Sequence, residues 1–173
     1  MSISLYAASV GTFLQVMPAI AGLVDKAEAH CKARSLGDDA LCGARLAPDM
    51  WDFAKQVMTT IQHSAGAVAA LRSGTCGPDM SPAPQDFASL RKAVADAIAV
   101  LEAATPAEID ARDGGDVCFA YGDHRMEFTA ADYVLTFALP NFYFHAAAAY
   151  AVLRNQGLQI GKMDFLGRPR LKG

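Results

Sequence analysis

Two residues four apart, Asn141 and His145, stand inside a run that carries no charge between Asp132 and Arg154, with Pro140 just before them. At helical spacing both side chains share one face, one turn apart. A neutral imidazole nitrogen and an amide oxygen are both lone-pair donors, which suits either a divalent-metal site or a buried polar network. A third residue of this kind, His63, falls on an uncharged, mildly polar side of an earlier helical stretch, together with Gln56, Thr59 and Thr60. Facing helices of a bundle build metal sites from inward-projecting imidazole and oxygen ligands. His63, Asn141 and His145 make a weak set, because neither helix places an Asp or Glu beside them; water would fill the open positions. The other reading is a polar network in which Gln56, Thr60, Tyr143 and Tyr150 satisfy these three residues and fix helix register. Both readings stay open on the residues alone.

The elements that must position these residues are helical. Tyr6, Val10, Phe13, Met17, Ile20, Val24 and Ala27 recur at steps of three or four, which predicts one helix over about Ser4 to Cys31 with a kink at Pro18. A second helix is expected from about Pro48 to Leu71, opened by a proline and an acid. The Gly/Pro/Ser-rich stretch Arg72 to Gln85 reads as a crossover loop. A third, ordinary amphipathic helix follows from about Pro84 to Ala103, with Phe87, Leu90, Val94, Ile98 and Leu101 inward. Thr105-Pro106-Ala107-Glu108 is a capping box. Residues 117–128 read as a small β-hairpin, which must lie against the helices to be stable. Thr129 to Asp132 is a second capping box and opens the last helix, about Ala130 to Gln156, closed by Gly157. The residues after it show no helical period.

Tyr133 to Leu153 is long enough to cross a bilayer. Asn141, His145 and Pro140 near its middle, and flanks without positive asymmetry, argue instead for the inner wall of a soluble bundle. Length and composition agree: 173 residues, 53% apolar and 19% charged, are expected to form one domain over 1–173. The net charge of −3, with scattered Lys and Arg, argues against a nucleic-acid partner. The start of the chain has no basic n-region, so no signal peptide is expected. Four widely spaced cysteines without a C-x-x-C pair then read as reduced thiols in a cytoplasmic protein. His30 near the end of the first helix and His124 at the hairpin turn read as surface residues.

The stretches ISLYAASV, RLAPDMWDFAKQV, FALPNFYFH and IGKMDFLG together resemble an uncharacterised branch of the DinB/YfiT-like superfamily, over nearly the whole chain. The resemblance implies an all-α, up-down-down-up four-helix bundle, here with the β-hairpin inserted before the last helix, and a homodimer. Better-known branches hold a divalent metal on three histidines, one on helix two and an H-x-x-x-H pair on the last helix; for this chain the expected ion is Zn, Ni or Mn. Some of those branches are thiol-dependent transferases. Residue by residue, His63 matches the helix-two ligand and His145 the second of the pair, while Asn141 stands where the other histidine would be. The functional expectation is a degenerate metal site with thiol-transferase chemistry. The alternative is a metal-free bundle with a small-molecule pocket or a structural dimer role.

Overall fold

The first apolar stripe forms two helices. α1 (Leu5–Ala8) ends where the Ser9 hydroxyl donates to the Leu5 carbonyl at 2.6 Å. α2 (Val10–Ala33) then runs on through Pro18. The break therefore lies at Ser9, where a hydroxyl that bonds the preceding turn competes with the helical ladder. A computed structural model describes residues 3–172; Met1, Ser2 and Gly173, the ends of the expected 1–173 unit, lie outside the described residues.

A single turn, α3 (Asp39–Cys42), leads to the second stripe, which is also divided. α4 (Phe53–Gln62) begins later than Pro48, because Asp52 supplies the cap by accepting from the Lys55 N–H at 2.8 Å. Hydroxyls of Thr59, Thr60 and Ser64 donate back to the carbonyls of Lys55, Gln56 and Thr60 at 2.8, 2.9 and 2.8 Å. These bonds crowd one side of the ladder, and Ser64 leaves the helical region (φ −119°, ψ −82°). His63 thus closes α4, and α5 (Ala65–Ser73) starts afresh.

The expected loop contains a two-residue strand, β1 (Thr75–Cys76), parallel to β2 (Asp116–Tyr121). β2 pairs antiparallel with β3 (His124–Thr129) from Asp116 opposite Thr129 to Tyr121 opposite His124. The hairpin is thus part of a three-stranded sheet in the order β1-β2-β3. Between the strands lie α6 (Phe87–Ala103), capped by Asp86, and α7 (Pro106–Asp110), capped by Thr105.

Thr129 accepts from the Asp132 N–H at 3.1 Å and caps α8 (Ala130–Asp132). The next six residues, Tyr133–Ala138, are π-helical, and the Leu139 N–H reaches five residues back to the Val134 carbonyl. Pro140 explains why regular helix fails here: it donates no N–H and its ring crowds the turn before it. α9 (Leu139–Asn155) follows, and Gly157 (φ 86°) ends it. The tail, expected without helix, forms α10 (Lys162–Leu166), whose Asp164 accepts from the Gly161 N–H and pairs with Lys26 of α2.

The protein is mostly helical. α4 packs on α9 and α2 on α6, around one cluster that includes Phe13, Phe53, Phe87 and Phe142. Among the described residues, one helical stretch, Leu5–Ala33, is long and apolar enough to cross a membrane; it places Phe13, Met17, Ile20 and Val24 in the core.

Candidate functional site

α4 and α9 carry the histidines, and their packing brings His63 and His145 together. Both are almost fully buried, at 8% and 7% exposure. Their rings are parallel within 5°, with centroids 5.8 Å apart. Trp51, just ahead of α4, stacks on His145 at 5.4 Å and 19°. The order Trp51, His145, His63 is a stack of three rings running inward from a half-exposed tryptophan, and Phe137 meets His63 edge-on at 5.6 Å.

Gln56 sets the state of His145. Its Oε1 lies 2.7 Å from His145 Nδ1 in a buried bond between α4 and α9. The Gln56 Nε2 donates to the Trp51 carbonyl at 3.3 Å, which fixes the oxygen toward the imidazole. An amide oxygen only accepts, so His145 carries its proton on Nδ1 and a lone pair on Nε2. His63 makes no side-chain hydrogen bond among the described residues. No described buried side-chain nitrogen or oxygen lacks a partner, so the His63 nitrogens open onto free space. That space is a cleft of about 70 Å³ lined by Gln62, His63, Cys76, Phe119, Tyr133 and Phe137.

Burial disfavours the charged imidazole. It pushes His145 down to about 4, and burial together with the neighbouring His145 pushes His63 down to about 4. Burial pushes the Cys76 thiol up, partly offset by Tyr133 beside it, and burial also raises the Tyr133 phenol. At neutral pH the cleft is therefore uncharged, with the neutral His63 imidazole, the Cys76 thiol and the Tyr133 phenol lining it and neutral His145 beside His63.

The other expected site residues lie as follows. Asn141 donates through Nδ2 to the Phe137 carbonyl at 2.8 Å, spanning the end of the π segment. The Thr60 hydroxyl bonds its own helix at the Gln56 carbonyl and does not join the histidines. Tyr143 lines a different groove with Leu5 and Arg170, and Tyr150 packs against Phe165 at 6.1 Å. The tyrosines are therefore not part of the histidine pocket. Phe137, Cys76 and Tyr133 line the cleft beside His63, and Trp51 covers His145. Trp51 is the single tryptophan of the chain, which is the one sequence signal for any of them.

The donors available are two neutral imidazoles and the Asn141 amide, whose Nδ2 is already bonded to the Phe137 carbonyl, with no anionic ligand beside them. Among the described residues no group of three His, Cys, Asp or Glu side chains is placed to hold a metal ion. The donor set as arranged does not fit a preformed divalent site.

A family model described as "Domain of unknown function (DUF1993)" matches residues 5–166. Among curated proteins none matches this chain. Among solved structures, the chain is similar to the crystal structure of a DinB family member protein from Shewanella denitrificans. The identity is 26%, the match covers 98% of this chain and 95% of that one, and the TM-score is 0.81.

Proposed function

Since this chain belongs to the family described as domain of unknown function DUF1993, an uncharacterised DinB-like branch, we propose that it is a metal-free helical bundle whose histidine pocket receives a small polar group. The observation that carries this is the buried His145–Gln56 bond, locked by the Gln56 contact to Trp51. It fixes the register of α4 against α9, while burial keeps both imidazoles neutral and the His63 ring, with one donor and one acceptor, lines the cleft. The cleft has room for roughly two waters, so the group it takes is a head group of that size. The architecture in this reading is an up-down-down-up four-helix bundle in one domain. Its support is four long helical stretches: α2, α4 with α5, α6, and α8 through α9. The four free cysteines support a cytoplasmic setting.

The test is elemental analysis of chelator-stripped protein after reconstitution with Zn²⁺, Ni²⁺ or Mn²⁺, beside the melting of His63→Ala and His145→Ala. This reading expects no stoichiometric ion and lower melting temperatures in both variants. About one ion per chain, lost in His145→Ala, would overturn it.

One observation favours a second reading. The Gln56 bond presents His145 Nε2 as a free lone pair, the orientation that metal-binding imidazoles commonly receive from a partner on the other nitrogen. His63, Asn141 and His145 would then hold a divalent ion weakly. Metal-dependent thiol transfer stands on that reading alone. Homodimerisation through exposed apolar residues such as Phe144 and Met163 is compatible with both, and sizing chromatography tests it.

A further inference from the structure

The last helix has a second pocket on the face away from the histidines. Tyr143 and His145 are two residues apart, which puts their side chains on opposite sides of α9. Beside Tyr143 lies a groove of about 380 Å³, walled by Leu5, Ala8, Leu135, Leu139 and Tyr143. Its volume is that of a small-molecule site rather than a solvent channel. α1 forms one wall and is pinned there, because the Tyr6 N–H donates to Asp110 Oδ1 at 2.8 Å.

Among the described residues that line the groove, one is a cation. The break at Ser9 exposes the Ala7 carbonyl to side-chain donors, and Arg170 Nη1 reaches it at 3.4 Å, a weak bond. The guanidinium lies on Gly11, where a Cβ would stand 2.7 Å from Nη1. The missing side chain therefore seats Arg170 against the helix. Among the described residues Arg170 has no carboxylate within ion-pair distance. The phenol of Tyr143 is close enough to Arg170 for that charge to offset part of the upward push of burial. Asp113, exposed on the turn after α7, lines the same groove and repels a second negative charge.

We propose that this groove binds an apolar monocarboxylate, its hydrocarbon body against Leu5, Leu135 and Leu139 and its carboxylate on the Arg170 guanidinium and the Tyr143 hydroxyl. Guanidinium and carboxylate match in charge and fork geometry, and the apolar walls supply area for an alkyl or aryl body. Leu135 is 56% exposed, so ligand burial would cover apolar surface that the folded chain leaves open.

Calorimetric titration of the whole chain with octanoate, octan-1-ol and octanedioate tests this. Octanoate is expected to bind saturably below its micelle concentration, and about tenfold or more tighter than either of the others. Arg170→Gln, at an exposed position, should weaken octanoate by about tenfold while leaving octanol unchanged. Asp113→Asn should strengthen octanedioate selectively, and His145→Ala should change none of these, which separates this site from the histidine pocket. Octanoate binding no tighter than octanol, or unchanged in Arg170→Gln, would overturn the proposal. So would sedimentation showing a dimer that Leu135→Glu converts to monomer and octanoate does not disturb, because a second copy would then fill the groove.

Discussion

His145 Nδ1 and Gln56 Oε1 lie 2.7 Å apart and join two helices through residues 89 apart in sequence. Gln56→Leu keeps the approximate volume but strands the His145 N–H in a buried setting. The expected loss is about 1–3 kcal/mol, read by urea denaturation. Gln56→Glu keeps the bond and adds a charge beside the imidazole. It should raise the His145 pKa, read by NMR titration of the ring protons.

The histidine pair makes stability depend on pH. Both imidazoles stay neutral in the folded chain down to about pH 4, whereas the unfolded chain protonates them near 6.5. Below pH 6.5 the unfolded state binds more protons, so stability falls as pH drops from about 6.5 toward about 4. The slope from each imidazole is at most about 1.4 kcal/mol per pH unit. Above about 6.5 this contribution is flat. Denaturation midpoints measured across that window should flatten in the double variant His63→Asn, His145→Asn.

Trp51 reports on the same event. It is the single tryptophan and stacks on His145 at 5.4 Å, so its emission senses the charge on that ring. Tryptophan fluorescence should change with a midpoint near pH 4 while the chain is still folded. The His145→Asn variant should lose that transition. An identical titration curve in the variant would dissociate the stack from the signal.

The core contact between the first and last long helices is tested by Phe142→Ala. Phe142 is fully buried and meets Phe13 edge-on at 4.9 Å. Removing its ring leaves a cavity between α2 and α9, with an expected loss of about 3–5 kcal/mol in chemical denaturation.

Much of this fold is readable from local chemistry. Thr105 and Thr129 cap helices where their side-chain spacing says they should, and Gly157 ends the last one. The meeting of His63 with His145 follows from two helices sharing an uncharged face. Other features escape because they depend on competition that spacing does not record. The division at His63 and Ser64 comes from three hydroxyls bonding back to their own helix, which serines and threonines in many continuous helices also do. β1 is two residues long and shows no alternation; its parallel pairing with β2 exists only once the intervening helices have folded. Tyr143 and Tyr150 look like partners for the histidines because tyrosine suits buried polar contacts. The π segment instead sets the phase of α9, and Tyr143 turns toward Arg170.

That π segment has a consequence for how the last helix tolerates change. It holds one residue more than an α-helical path would need, and each helical residue carries its side chain roughly 100° around the axis. Removing a single residue between Tyr133 and Ala138 would shorten the chain and rewind the turn, yet leave α9 with its composition intact. The following helix would keep its phase, so His145 would stay on Gln56 and Tyr143 would stay in the groove with Arg170. The surplus residue is in this sense absorbed within one turn, and the pockets on opposite sides of α9 are insulated from its loss.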